Sequence, residues 1–424
     1  MSAPTGCCSP LLPALTEPIS ERLDSGVEVV TMALPQAPLV CLDFWCRAGS
    51  VFEQTGESGL AHFLEHMVFK GSDTLAAGEF DARVEALGGS SNAATGFDDV
   101  HYHVLIPPQA AGEALDLLLD LVLRPRLEAE AFGMERQVVL EELAQSEDQP
   151  EEVALQRLLG LALPDHPYGQ PILGQREALL AHGPEAMAAF HGRLYGAGRC
   201  VLALSGATVE ADLSSRIRQG PLAGLAPAQE PGPPPALQLH SGEERIVLPR
   251  LEAARLLMAW QLPAANDEDA VMGADLATSL LAEGRRSRLV ERLREQLRIV
   301  ESVDMELHAL ESGSLALLEA VCDPEDLPQL RREIGQVWQE VREAPVPTAE
   351  WERTCRLVAN SYRFGLESAG AVAGLIGSSQ LWGRRRALNR PLELIQGWSP
   401  QRLQREALVA LEPQRACILE AVPA

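Results

Sequence analysis

Residues 27–71, VEVVTMALPQAPLVCLDFWCRAGSVFEQTGESGLAHFLEHMVFKG, read as two strands and a helix. VEVVTMAL (27–34) and PLVCLDFWCRAG (38–49) are short, rich in β-branched and aromatic residues, and separated by prolines that punctuate a turn. SGLAHFLEHMVFKG (58–71) then changes period: apolar residues recur three and four apart, which predicts an amphipathic helix. A second helix follows at GEFDARVEAL (78–87), then two strands at SSNAATGF (90–97) and VHYHVLIP (100–107), then long helical tracts.

The same order returns further on. ERIVLPRL (244–251) and ARLLMAWQLPA (254–264) read as strands, EDAVMGADLATSLLAE (268–283) and SRLVERLREQL (287–297) as helices, and IVESVDMELHA (299–309) and GSLALLEAVC (313–322) as strands again. Between the two runs lies PLAGLAPAQEPGPPPALQLHSGE (221–243), whose six prolines and weak periodicity mark a linker. The expectation is an α+β chain of two similar tandem domains, 18–220 and 244–424, joined by 221–243. Runs of strands followed by runs of helices fit antiparallel-rich sheets better than a Rossmann alternation.

Composition narrows the function. The 424 residues are 46% hydrophobic and 22% charged, enough apolar side chain for more than one core. A formal net charge of -25 argues against a nucleic-acid backbone as partner. No segment reads as a membrane span, and the N-terminal residues lack the basic start of a signal peptide, so a soluble cytoplasmic protein is expected. The eight cysteines are scattered with no Cys-x-x-Cys pair and read as free thiols. Lys70 is the only lysine among 35 basic residues, a bias of composition rather than of function. Signatures of serine hydrolases, dinucleotide binders and P-loop ATPases are absent.

Chemistry concentrates in the helix at 58–71. His62 and His66 lie one turn apart and can address one divalent ion, and Glu65 between them is placed to take a proton from water beside that ion. Two imidazoles suit zinc but leave it one protein ligand short. Phe132, Glu135, Val139 and Glu142 share one face of a helix predicted over FGMERQVVLEELAQSEDQP (132–150). Glu142 is therefore a candidate third ligand and Glu135 a candidate support for a ligand histidine. Both glutamates could equally lie on a solvated face. His101 and His103 share one face of a strand but lack an evident third ligand, and read as strand decoration. Arg384, Arg385 and Arg386 read as a solvated turn.

The blocks SGLAHFLEHMVFKGS (58–72), GGSSNAATGFDDVHYHVLIP (88–107), ERQVVLEELAQSEDQP (135–150) and HPYGQPILG (166–174), in that order, resemble the pitrilysin/insulinase family of zinc metallopeptidases with the inverted His-x-x-Glu-His motif. The resemblance implies one zinc per chain on His62, His66 and Glu142, Glu65 as general base, and Glu135 in support. It implies hydrolysis of unfolded peptides inside a clam-like chamber, of which a chain this long makes half. It also implies that Ser91, Asn92 and Ala93 form an edge strand to which substrate adds, although an ordinary strand after the Gly88-Gly89 turn would read the same.

The second half departs from the family pattern. In LAEGRRSRLVERLREQLRIVESV (281–303), Arg294 holds the place of a substrate-binding arginine, but the tyrosine expected seven residues later is Glu301. An ionised carboxylate cannot donate to an oxyanion, and Glu301 is expected to pair with Arg294. The chain is accordingly expected to work as the zinc half of a heterodimer with a related chain carrying the arginine and tyrosine, or otherwise as a homodimer. The competing reading is a non-catalytic or partner-dependent family member.

Overall fold

The computed structural model describes residues 17–228, 234–384 and 387–424. Two sheets organise it. The first joins β1 (Ile19–Arg22), β2 (Glu28–Ala33), β3 (Val40–Cys46), β4 (Ser90–Thr95), β5 (Val100–Ile106) and β6 (Cys200–Gly206) in the order β1-β2-β6-β3-β5-β4. The second joins β7 (Glu243–Leu248), β8 (Ala254–Leu262), β9 (Ser302–His308), β10 (Ser314–Cys322) and β11 (Cys417–Pro423) in the order β7-β11-β8-β10-β9. Apart from β1 the two orders are identical, and in each sheet the single parallel pair is the same one, β2 with β6 and β7 with β11. The repetition expected from the sequence is thus a repetition of topology.

Three strands escaped the sequence reading: the short edge strand β1 and one inner strand in each sheet. CVLALSG of β6 and CILEAVP of β11 end long helical tracts and return to an inner position of each sheet. β6 is buried on both faces, so its apolar run has no alternation to distinguish it from a buried helix.

The first sheet has two different faces. Phe44, Tyr102 and Val104 look into a large core shared with helices α1 (Leu60–Val68), α2 (Glu79–Ala86), α3 (Ala111–Leu123) and α4 (Ala129–Asp148). Trp45, Val30, Met32, Val201 and Ala203 look the other way and pack against Val372 and Ile376 of the helix Ala369–Leu381, which belongs to the second half. The first half reciprocates: its helix Pro150–Ala162 packs on β8 and β11. Each half therefore lends a helix to the other's sheet. Gly377 permits the closest approach, since a Cβ there would meet Trp45 Nε1 at 2.4 Å.

The described part of the proline-rich stretch is strapped down. Gln261 accepts from the Leu239 amide at 2.9 Å and donates to the Leu237 carbonyl at 2.8 Å. Arg384 is not on a solvated turn as expected: it is half-buried, its guanidinium stacks 4.4 Å from the Trp382 ring, and burial lowers its pKa. Arg385 and Arg386 lie outside the described residues, as do Cys7 and Cys8; the remaining six cysteines are buried thiols.

Candidate metal centre

α1 begins at Gly59, whose φ of 83° is left-handed and whose absent side chain lets the Leu173 carbonyl approach; a Cβ would stand 2.7 Å from that oxygen. Glu53 closes the helix start, accepting from the Gly59 amide at 3.0 Å and the Ala61 amide at 2.9 Å. Burial nevertheless pushes the Glu53 carboxyl up to about 8. Phe63 and Leu64 anchor the inner face of α1, with Phe63 packed 4.5 Å from the Phe132 ring of α4. That packing sets His62 and His66 opposite Glu135 and Glu142.

The two imidazoles stand on successive turns, ring centroids 4.7 Å apart. Glu142 Oε2 lies 3.7 Å from His62 Nε2 and 3.4 Å from His66 Nε2. Neither separation is a good hydrogen bond, but both match ligands of a common ion, because donors at about 2.1 Å in a tetrahedron are about 3.4 Å apart. His62 Nδ1 is buried with no partner, and burial, with the neighbouring His66, lowers the His62 pKa to about 4. At neutral pH this imidazole is uncharged. The donor set of two imidazoles and one half-exposed carboxylate fits zinc and leaves a fourth position open.

Glu135 is not on a solvated face. It is 6% exposed, receives His66 Nδ1 at 2.9 Å on one oxygen and Lys70 Nζ at 2.7 Å on the other. An ionised carboxylate only accepts, so His66 carries its proton on Nδ1 and turns its Nε2 lone pair toward Glu142. Glu65, between the histidines, accepts from the Thr95 hydroxyl of β4. Burial raises the Glu65 pKa, opposed by that hydrogen bond and by His66, and reinforced by Glu142. Glu53, Lys70 and Thr95 were not identified from the sequence. Lys70 carried one signal, its uniqueness, whose partner is set by the contact between α1 and α4.

Ser91, Asn92 and Ala93 do lie on an edge strand: β4 pairs with β5 and ends the sheet beside α1. Ser91 donates to Asp81 at 3.1 Å, and the Ala93 amide donates to Asn92 Oδ1 at 2.9 Å. Arg294 sits in a π-helical segment, Val290–Gln296, that packs on β9 and the helix Leu327–Glu343 of the second half. Its expected pairing with Glu301 is not made. Arg294 instead bonds its neighbour Glu295 at 3.0 Å, a carboxylate also held by Arg285, while the Glu301 amide donates to the Val321 carbonyl. A partner one residue away in the same helical segment costs less ordering than one beyond it.

Comparison with known proteins finds two family models in tandem along the chain. Residues 28–176 match the family model described as Insulinase (Peptidase family M16), and residues 183–358 match that of the Peptidase M16 inactive domain. An uncharacterized zinc protease of Mycobacterium leprae is 29% identical over 389 residues, covering 88% of this chain and 84% of that protein. A probable mitochondrial-processing peptidase subunit beta of Arabidopsis thaliana is 31% identical over 197 residues, 46% of this chain and 37% of that one. Among solved structures, a protease from Helicobacter pylori superposes with a TM-score of 0.89 at 23% identity, covering 97% of this chain and all of the other. A putative M16-like peptidase from Alicyclobacillus acidocaldarius gives 0.83 at 20% identity over 97% of this chain and all of that one.

Proposed function

The chain belongs to the M16 (insulinase) peptidase family, and from that premise we propose that it is a zinc-dependent endopeptidase acting on unfolded peptides or small polypeptides. The observation that carries the reading is the convergence of His62, His66 and Glu142 donor atoms within 4.8 Å of one another, with Glu65 on the same helix. His62 and His66 through Nε2, and Glu142 through a carboxylate oxygen, hold one zinc. When bound, zinc supplies a Lewis acid that polarises the scissile carbonyl and acidifies water beside it.

The rest falls to the chain. Glu65 takes a proton from the attacking water on a carboxylate oxygen and returns it to the leaving amine. Thr95 holds that carboxylate at the sheet edge, where a peptide adding to Ser91, Asn92 and Ala93 as an extra strand brings its carbonyl. Burial raises the Glu65 pKa, which makes the carboxylate a stronger base for this exchange and is expected to place the acid limb of kcat/KM above the ordinary glutamate range.

The zinc half completes a chamber with a second chain. The self-paired Arg294 and the carboxylate at Glu301 favour a related chain carrying the arginine and tyrosine over a second copy. The test is cleavage of a mixed unstructured-peptide library by the zinc-loaded chain, with Glu65→Gln and a chelated sample as controls. Glu65→Gln is expected to keep zinc and lose turnover by at least about 100-fold. Retained turnover in that variant would remove Glu65 from its role, and turnover in the chelated sample would remove zinc.

A further inference from the structure

A second cluster of metal-binding side chains lies on the opposite face of the first sheet from α1. The sequence paired His101 with His103 but offered no third ligand; the register of the sheet supplies it. β3 runs antiparallel to β5 with Asp43 directly opposite His103 and Trp45 directly opposite His101, so the carboxylate and both imidazoles project from one face. One donor atom from each of Asp43, His101 and His103 lies within 4.8 Å of the others.

We propose that Asp43, His101 and His103 form a second divalent-metal site, taking a first-row transition cation of the zinc class. The donor set is chemically selective: two imidazoles and one carboxylate disfavour magnesium and calcium, which take oxygen ligands. Asp43 Oδ1 stands 3.0 Å from His101 Nδ1, a hydrogen bond in the ion-free chain and also within the spacing of about 3.0–3.4 Å that neighbouring ligands take around an ion bonded at about 2.1 Å.

The cluster is also held in place. The His101 ring stacks on Trp45 at 4.2 Å and 13°, and on His103 at 5.6 Å and 19°. Trp45 is itself pressed by the helix Ala369–Leu381 through Gly377. Asp43 is only 2% exposed, whereas the His101 side chain is 22% exposed, so the site has a buried wall and an open mouth where water can complete the coordination.

An ion here ties β3 to β5. In the adjacent pairing His103 faces Asn92 and His101 faces Ala94 of β4, so the clamp lies one strand inside the sheet edge that carries Ser91–Ala93. Its role is to stiffen that edge, and it stands whether or not the first site hydrolyses peptides.

Zinc content per chain, measured by mass spectrometry of the metal after zinc loading and desalting, tests the site. The wild-type chain is expected to carry two equivalents, His62→Ala/His66→Ala one, and the same double variant with His103→Ala none. Zinc should raise the melting temperature of the double variant and leave that of the triple variant unmoved. His103→Ala alone, which keeps the Asp43–His101 bond, should fall from two equivalents to one, and decides the matter if the double variant does not fold. A folded His103→Ala chain with unchanged zinc content overturns the proposal, as does a folded double variant that binds none. A wild-type chain with one equivalent that His103→Ala abolishes would keep this site and remove the first.

Discussion

Lys70 ends the polar chain that starts at the metal centre: its ammonium lies on Glu135, and Glu135 lies on His66 Nδ1. The buried carboxylate needs this partner, because an unpaired charge at 6% exposure is expensive. Lys70→Met is expected to weaken zinc binding or kcat by about 10- to 100-fold through loss of the His66 orientation, measured by competition with a chelating dye and by peptide cleavage. Asp99 offers a residue-scale test of pH dependence. Burial and the adjacent Asp98 push its carboxyl up to about 7, well above the ordinary aspartate range, so the folded chain keeps a proton that the unfolded chain releases. Stability from this group is therefore present at low pH and is lost as pH rises from about 4 to 7. Asp99→Asn should shrink the fall in unfolding free energy between pH 5 and pH 8 by about 2 kcal/mol, read from urea denaturation at both pH values.

At the scale of elements, the site is a contact between α1, α4 and the edge strand β4. The helix over 58–71 was legible because its period and its His-x-x-Glu-His spacing coincide, and the two glutamates of α4 because they interrupt an apolar face. What α4 does with them was not legible, since a helical wheel fixes which residues share a face and not what that face meets. Thr95 shows the same limit from the strand side. Its hydroxyl bonds Glu65 across 30 residues of sequence. Thr95→Val keeps β-branching, and with it the strand, but removes the bond to a charged acceptor, worth about 1.5–3 kcal/mol. The expected outcome is a loss of about 10- to 100-fold in kcat, unchanged zinc content, and an acid limb displaced to higher pH because the bond lowers the Glu65 pKa.

For the whole molecule, the two halves are fastened by exchange of helices and by a polar seam. Arg47 pairs with Glu311 of the β9–β10 loop, the Glu311 amide donates to Asp98 at 2.8 Å, and the Ser312 amide donates to the Tyr168 hydroxyl at 3.1 Å. One half carries the metal cluster, and the other presents Arg294 tied to Glu295, within the 183–358 stretch that matches the model of an inactive domain. Light scattering and cleavage rates, for the chain alone and mixed with a related chain bearing the arginine and tyrosine, should give slow turnover alone and faster turnover in the mixture. Glu301→Tyr should raise kcat/KM of the chain alone by about tenfold or more, since a phenol can donate where a carboxylate cannot. A fully active homodimer of the unaltered chain would overturn the heterodimer.

The sequence by itself determined the repeated α+β order, the helix bearing His62, Glu65 and His66, and the family resemblance, because these rest on periods and spacings local to one element. Only the tertiary structure decided that Glu135 is buried between His66 and Lys70, that Arg294 turns to Glu295 instead of Glu301, and that Asp43 joins His101 and His103. It also decided where β6 and β11 go, inner strands whose burial on both faces erases alternation. The physical reason is common to all of them. A side chain's partner is fixed by sheet register and helix packing across tens to hundreds of residues, and nothing in the local pattern of either segment records the other.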